Sequence, residues 1–150
     1  MARSSTILLV EDDPNDVLLV KMAFQKSLAG LRIMVVGNGQ EALQYLKGEG
    51  PYADRTAYPF PEFVLLDLKM PLMNGFEVLR WIRSQPVIKR LPVIVFTSSL
   101  HEGDATLAYE EGANSFVRKP TDFTELVKTM KSLGEFWLGA SKFPEACPEG

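Results

Sequence analysis

Ile7-Leu8-Leu9-Val10-Glu11-Asp12-Asp13-Pro14 is the stretch on which the fold turns. Four consecutive apolar residues rich in branched side chains suit a strand buried on both faces. Three carboxylates follow at once. Pro14 stands where a first helical residue would stand, with Asp13 ahead of it as an N-cap. Val17, Val20, Phe24 and Leu28 then recur at helical spacing, and Gly30 is where that helix should stop.

Outward from this unit the same alternation repeats. Leu31–Val36 reads as a second strand, Gly37-Asn38-Gly39 as a turn, and Ala42, Leu43 and Leu46 as one face of a second helix. Phe63–Leu66 is a third buried strand, closed by Asp67. Phe76, Leu79 and Ile82 mark a helix that begins near Gly75. Val93–Phe96 is a fourth strand, followed by Thr97 and Ser98. Ala105, Ala108, Tyr109 and Gly112 follow a helical period. Ser115–Val117 is a short fifth strand leading to Lys119-Pro120. Phe123, Leu126, Val127, Met130 and Leu133 line the last helix. Strict alternation of strand and helix predicts an α/β fold with a parallel sheet covered on both faces.

The composition agrees with one soluble domain. The chain has 150 residues, 46% hydrophobic and 23% charged, enough to bury a core without metal or disulfide. The single cysteine, Cys147, excludes an intrachain disulfide framework and points to a reducing compartment. A net charge of −3 gives no reason to expect a nucleic-acid surface. Ile7–Val10 is too short for a signal-peptide core or a membrane span. The expectation is a cytoplasmic protein. Two segments depart from a minimal α/β domain. Gly48–Pro61 is a long connection carrying Pro51, Pro59, Pro61, Tyr52, Tyr58 and Phe60, and loops of that length are unusual unless they serve a function. After the last helix come Phe136, Trp137, Leu138 and Phe143. They suit a dimer contact, the other reading being a cap folded back over that helix.

In open parallel sheets, ligands bind beyond the carboxyl ends of the strands. Those ends carry Glu11, Asp12 and Asp13, then Asp67, then Thr97 and Ser98, then Lys119. Packed carboxylates repel one another and raise their own pKa values unless something neutralises them. A divalent cation does so, and a few hard oxygen ligands with no His or Cys suit Mg²⁺ over zinc. Asp13 is better explained as a helix cap. Glu11, Asp12 and Asp67 are harder to explain by capping, because they terminate fully apolar strands. A lysine beside them balances charge and can hold a phosphoryl oxygen, as can the Thr97 hydroxyl. An aspartate carboxylate can itself accept a phosphoryl group.

Four motifs in order then carry a resemblance: Ile7-Leu8-Leu9-Val10-Glu11-Asp12-Asp13; Leu65-Leu66-Asp67-Leu68-Lys69-Met70-Pro71 with Asn74-Gly75; Phe96-Thr97-Ser98; and Phe116-Val117-Arg118-Lys119-Pro120. Over about residues 5 to 133 the chain resembles the receiver domain of two-component response regulators. The resemblance implies a flavodoxin-like, doubly wound, five-stranded sheet of order 2-1-3-4-5. It implies that Asp67 is the phosphoacceptor and that Glu11 and Asp12 hold Mg²⁺, Asp12 directly and Glu11 through water. The backbone carbonyl of Lys69 would be a further metal ligand. Thr97 would be the switch hydroxyl, Lys119 the phosphoryl-binding lysine and Phe116 the aromatic switch. A cis bond before Pro120 is also implied. Phe116 stands where many receivers have Tyr, so no hydroxyl is available there for readout.

The implied function is a phospho-switch without catalytic turnover of an outside substrate. A sensor histidine kinase donates the phosphoryl group, and the face built from the fourth helix, fifth strand and fifth helix responds. His101 is not the donor and reads as an exposed or capping residue. Residues 1–134 form the receiver and 135–150 a C-terminal extension with no effector domain, so output falls to a protein contact, a phosphorelay or a homodimer. The long loop and aromatic tail resemble response regulators paired with phytochrome-type kinases. The alternative is a phosphorylation-independent pseudo-receiver acting as a constitutive binding module. Two further rivals fit less well. An aspartate-nucleophile phosphatase needs an acid where Lys69 stands, and a flavodoxin-like carrier needs a phosphate-cradling loop where Glu11-Asp12-Asp13-Pro14 stands.

Overall fold

The computed structural model describes residues 5–28 and 30–141. Five strands and five helices alternate: β1 Thr6–Val10, α1 Pro14–Ser27, β2 Arg32–Val36, α2 Gly39–Lys47, β3 Phe63–Leu66, α3 Gly75–Ser84, β4 Val93–Thr97, α4 Glu102–Glu110, β5 Ser115–Arg118 and α5 Phe123–Glu135. All pairings are parallel, in the order β2-β1-β3-β4-β5. The three central strands are apolar except for Thr6 and Thr97 at their ends, because both of their faces are buried. Alternate side chains divide between two layers. Leu8, Val10, Val64, Leu66, Val93 and Val95 pack against α2, α3 and Ala108 of α4. Ile7, Leu9, Phe63, Leu65, Ile94 and Phe96 pack against α1 and α5.

Helix starts follow the caps. Asp13 accepts from the Asn15 N–H at 2.9 Å, as expected for α1. Asn38 caps α2, and Asn74 with Glu77 forms a reciprocal capping box on α3. The end of α1 differs from the sequence expectation. The helix stops at Ser27, where the Leu28 N–H closes on the Phe24 carbonyl, and Gly30 sits in the turn beyond at φ +81°.

The Gly48–Pro61 connection is an ordered small structure. It opens at Gly48, whose φ of +70° closes α2 in the left-handed region, with the Arg55 guanidinium 3.0 Å from where a Cβ would sit. A 3₁₀ turn, Gly50–Tyr52, follows. Tyr45, Tyr52 and Tyr58 then pack edge-to-face or tilted, with centroids 5.1–6.2 Å apart. The Tyr45 hydroxyl donates to the Pro59 carbonyl at 2.7 Å, and Arg55 donates to the carbonyls of Leu46 and Tyr58. Burial pushes the Tyr45 phenol up to about 12, so it remains a donor.

The tail follows in part the second of its two readings, a cap folded back on the domain. After α5 the chain widens into a π-turn, Phe136–Ala140. Trp137 and Leu138 pack on the α1–α5 layer, and the Trp137 ring lies 6.5 Å from that of Phe63. Trp137 continues the core face of α5 set by Leu126, Met130 and Leu133, and Phe136 beside it stays exposed. Phe143 and Cys147 lie outside the described residues. Among the described residues, no helix is long and apolar enough to cross a membrane.

Candidate functional site

Register assembles the site. Val10 pairs with Leu66, so Glu11 and Asp67 emerge side by side. Leu66 pairs with Val95, and Thr97 with Arg118, so Thr97 and Lys119 emerge at the same edge. Glu11, Asp12 and Asp67 bring carboxylate oxygens within 4.8 Å of one another, with Glu11 and Asp67 buried and Asp12 exposed. These are hard oxygen donors, close enough to share one divalent cation and partly open to water, so the set fits Mg²⁺ or Mn²⁺.

Lys119 is the counter-charge. Its Nζ donates to Asp16 Oδ2 at 2.8 Å, to Asp67 Oδ2 at 3.2 Å and to Glu11 Oε1. Desolvation opposes the ammonium charge, yet the hydrogen bonds to Asp16 and Glu11 and the charge of Asp67 overcome it and hold the lysine above its usual value. Burial pushes Glu11 up to about 7, against the hydrogen bond from Lys119 and with the help of the Asp67 charge. The remaining oxygens are occupied too. Glu11 Oε2 accepts from the Asp13 N–H at 3.2 Å, and Asp67 Oδ1 from the Lys69 N–H at 3.3 Å.

The other side of the site is set by β4 and β5. Thr97 is fully buried, and its Oγ1 accepts from the Ser99 N–H at 3.3 Å. That bond leaves the Thr97 hydroxyl hydrogen free for another acceptor. Ser99 in turn donates to Asp104 on the first turn of α4. Phe116 is half-buried against the α2–α3 layer, and its N–H donates to the Tyr109 hydroxyl at 3.1 Å. His101 precedes α4, exposed and without a side-chain cap, with Nδ1 3.8 Å from Asp104. Gly75 is required where α3 begins, because a Cβ there would run into the carbonyl oxygen of Asp67.

Two points differ from the sequence expectation. The Lys119–Pro120 bond is trans, as is every peptide bond among the described residues. The trans preference of an X–Pro bond is only about 0.5–1 kcal/mol. Here the Lys119 N–H donates to the Thr97 carbonyl at 2.8 Å, and its ammonium reaches the carboxylates. The second point is Asp16, which sequence reasoning passes over. An acid on the first turn of a capped helix reads as ordinary helix chemistry, and its partner lies 103 residues away.

A family profile described as the response regulator receiver domain matches residues 7–131. The response regulator Rcp1 of Synechocystis sp. is 34% identical over 140 residues, 93% of each chain. The crystal structure of the phosphorylated cyanobacterial phytochrome response regulator RcpA matches with a TM-score of 0.87 at 35% identity, over 95% of this chain and 100% of that one. The Mn²⁺-bound form of Rcp1 matches with a TM-score of 0.82 at 34% identity, over 93% and 99%. With a profile running from β1 into α5 and such relatives along nearly their whole length, the chain belongs to the response regulator receiver domain family.

Proposed function

We propose that this chain is a single-domain phospho-switch in which Asp67 accepts a phosphoryl group from a sensor histidine kinase of the phytochrome type. The observation that carries the reading is Asp67 itself, a buried carboxylate tied to Lys119 and within reach of Glu11 and Asp12. An Asp67 oxygen forms the new bond to phosphorus. The P–N bond to the kinase histidine breaks, and its electron pair stays on the imidazole. No proton leaves Asp67, which reacts as the carboxylate. Lys119 and the Thr97 hydroxyl donate to the phosphoryl oxygens as charge gathers there. Glu11, Asp12, Asp67 and the Lys69 carbonyl would hold a divalent cation, proposed to be Mg²⁺, which would supply positive charge to offset that on the phosphoryl oxygens. Water attack on the same phosphorus returns Asp67 and releases inorganic phosphate.

The output runs through α4, β5 and α5. Thr97 moves toward the phosphoryl group, Phe116 turns inward, and the face changes for a partner or a second copy of the chain. The kinase assignment is supported by the phytochrome regulator RcpA among the similar structures. A homodimer and a cytoplasmic location, with 135–150 as an extension of the receiver, complete the proposal. The test is intact-protein mass after incubation with acetyl phosphate, with and without Mg²⁺. A phosphoryl adduct that needs Mg²⁺ and is absent from Asp67→Asn, with an unchanged circular-dichroism spectrum, is the expected result. An adduct of equal yield on Asp67→Asn would refute the assignment.

A further inference from the structure

If Asp67 is the phosphoacceptor, one carboxylate at the site is left without a part. Asp16 is the third residue of α1. At the third position of α2, α3 and α5 stand Glu41, Glu77 and Glu125. In α3, Glu77 reaches back to the Asn74 N–H and completes a capping box. In α1 the corresponding N–H, that of Asp13, donates instead to Glu11 Oε2. The shorter Asp16 side chain is thereby left to Lys119, with Oδ2 2.8 Å from Nζ.

A lysine ammonium has three N–H donors and no acceptor. Here each has its own carboxylate: Glu11, Asp16 and Asp67. Phosphoryl transfer disturbs two of the three. Charge leaves Asp67 for the phosphoryl oxygens, and Glu11 belongs to the group that can share a cation. Asp16 lies outside that group, so its tie to Lys119 is the one that neither the metal nor the reacting atoms draw on. The lysine stem is long and flexible, and an ammonium without a fixed tie samples many positions.

We infer that Asp16 is a positioning residue for phosphoryl transfer: it anchors one N–H of Lys119 so that the ammonium stays at the site while its other donors follow the charge from Asp67 to the phosphoryl oxygens. With acetyl phosphate as donor the step balances. An Asp67 oxygen bonds to phosphorus, the bond from phosphorus to the acetate oxygen breaks, and acetate leaves with the electron pair.

The experiment uses the full chain, acetyl phosphate and saturating Mg²⁺, with intact mass followed over time and Mg²⁺ affinity measured by calorimetry. Asp16→Ala is expected to slow phosphorylation about tenfold, the loss of one charge-assisted hydrogen bond. Mg²⁺ affinity should stay within about twofold, because a residue outside the cation group contributes only through remote charge. Asp16→Asn keeps the shape and an acceptor oxygen and should fall between the two, and it carries the same test if Asp16→Ala does not fold. In a Lys119→Met background, Asp16→Ala should have no further effect.

Three results would overturn the role: an unchanged rate in Asp16→Ala, parallel losses of rate and Mg²⁺ affinity, or an undiminished effect in the Lys119→Met background. The two readings separate cleanly. A wild-type chain that takes no phosphoryl group removes the phosphoacceptor assignment and this role with it. A labelled wild type beside an equally fast Asp16→Ala removes only the role of Asp16.

Discussion

Glu11 is the residue whose protonation matters most. It is nearly inaccessible, and burial pushes it up to about 7 from the usual carboxylate value of 4.5. A carboxylate whose folded pKa is raised holds its proton more tightly in the folded state. Its contribution to the stability of the metal-free protein therefore falls as pH rises from about 4.5 through 7. A divalent cation held by this carboxylate, as proposed, would reverse the preference, because it would have to displace the proton. Mg²⁺ affinity should fall about tenfold between pH 8 and pH 6, the effect of one competing proton with a pKa near 7. Calorimetric titration at the two pH values checks this, and proton release on binding should be visible near pH 7 in two buffers of different ionisation enthalpy. An affinity that does not change across that range would show that Glu11 does not hand a proton to solvent when the cation arrives.

Among the elements, the connection between α2 and β3 shows how a segment can be ordered without strand or helix ladders. Its stability comes from one buried phenol, a cluster of edge-on aromatic rings and an arginine that satisfies carbonyls at both ends. Tyr45→Phe keeps the ring and removes only the donor to Pro59. Leaving that carbonyl without its partner should cost about 1–2 kcal/mol, measured by urea unfolding. Cleavage by protease within the loop should accelerate before global stability is lost, since local opening needs fewer contacts broken. A variant cleaved at the wild-type rate would place the order of the loop in Arg55 and the ring cluster instead. The prolines and aromatics of Gly48–Pro61 signal something other than a plain linker. What they cannot signal is that Tyr45, inside the preceding helix, closes the structure.

At the scale of the whole molecule, the two core layers meet different demands. The α2–α3 side is broad and apolar, whereas the α1–α5 side is completed by the tail. Trp137 lies against Phe63, and Leu138 joins the same layer. Trp137→Ala should therefore lower stability by about 2–3 kcal/mol, below the range for a fully buried Trp because this ring is only half-buried. Phe136→Ser, at an exposed site, should change stability by less than about 0.5 kcal/mol. If the extension supplies a homodimer contact, Phe136→Ser should also weaken self-association, read by sedimentation velocity. An unchanged sedimentation profile would move the proposed contact to another face, and an unchanged unfolding midpoint in Trp137→Ala would refute the packing of the tail.

Much of this protein was legible in one dimension. A strand buried on both faces has no place for charge, so Ile7–Val10, Phe63–Leu66 and Val93–Phe96 declare themselves as apolar runs. The first charged residue after each of the first two marks the strand end. Parallel α/β architecture puts all such ends on one side, which is why Glu11, Asp12 and Asp67 could be grouped from sequence. Asp13 before Pro14 likewise announced its cap. Strand order did not follow from the alternation alone. It came from resemblance to a family and is settled by the hydrogen-bonded register. The tertiary structure alone decided the partners of Lys119, the trans bond to Pro120, the closing of the long loop by Tyr45 and the burial of Trp137. The physical reason is common to all four. Spacing along a chain reports which face of its own element a residue occupies, whereas a contact across 103 residues depends on how separate elements are set against each other.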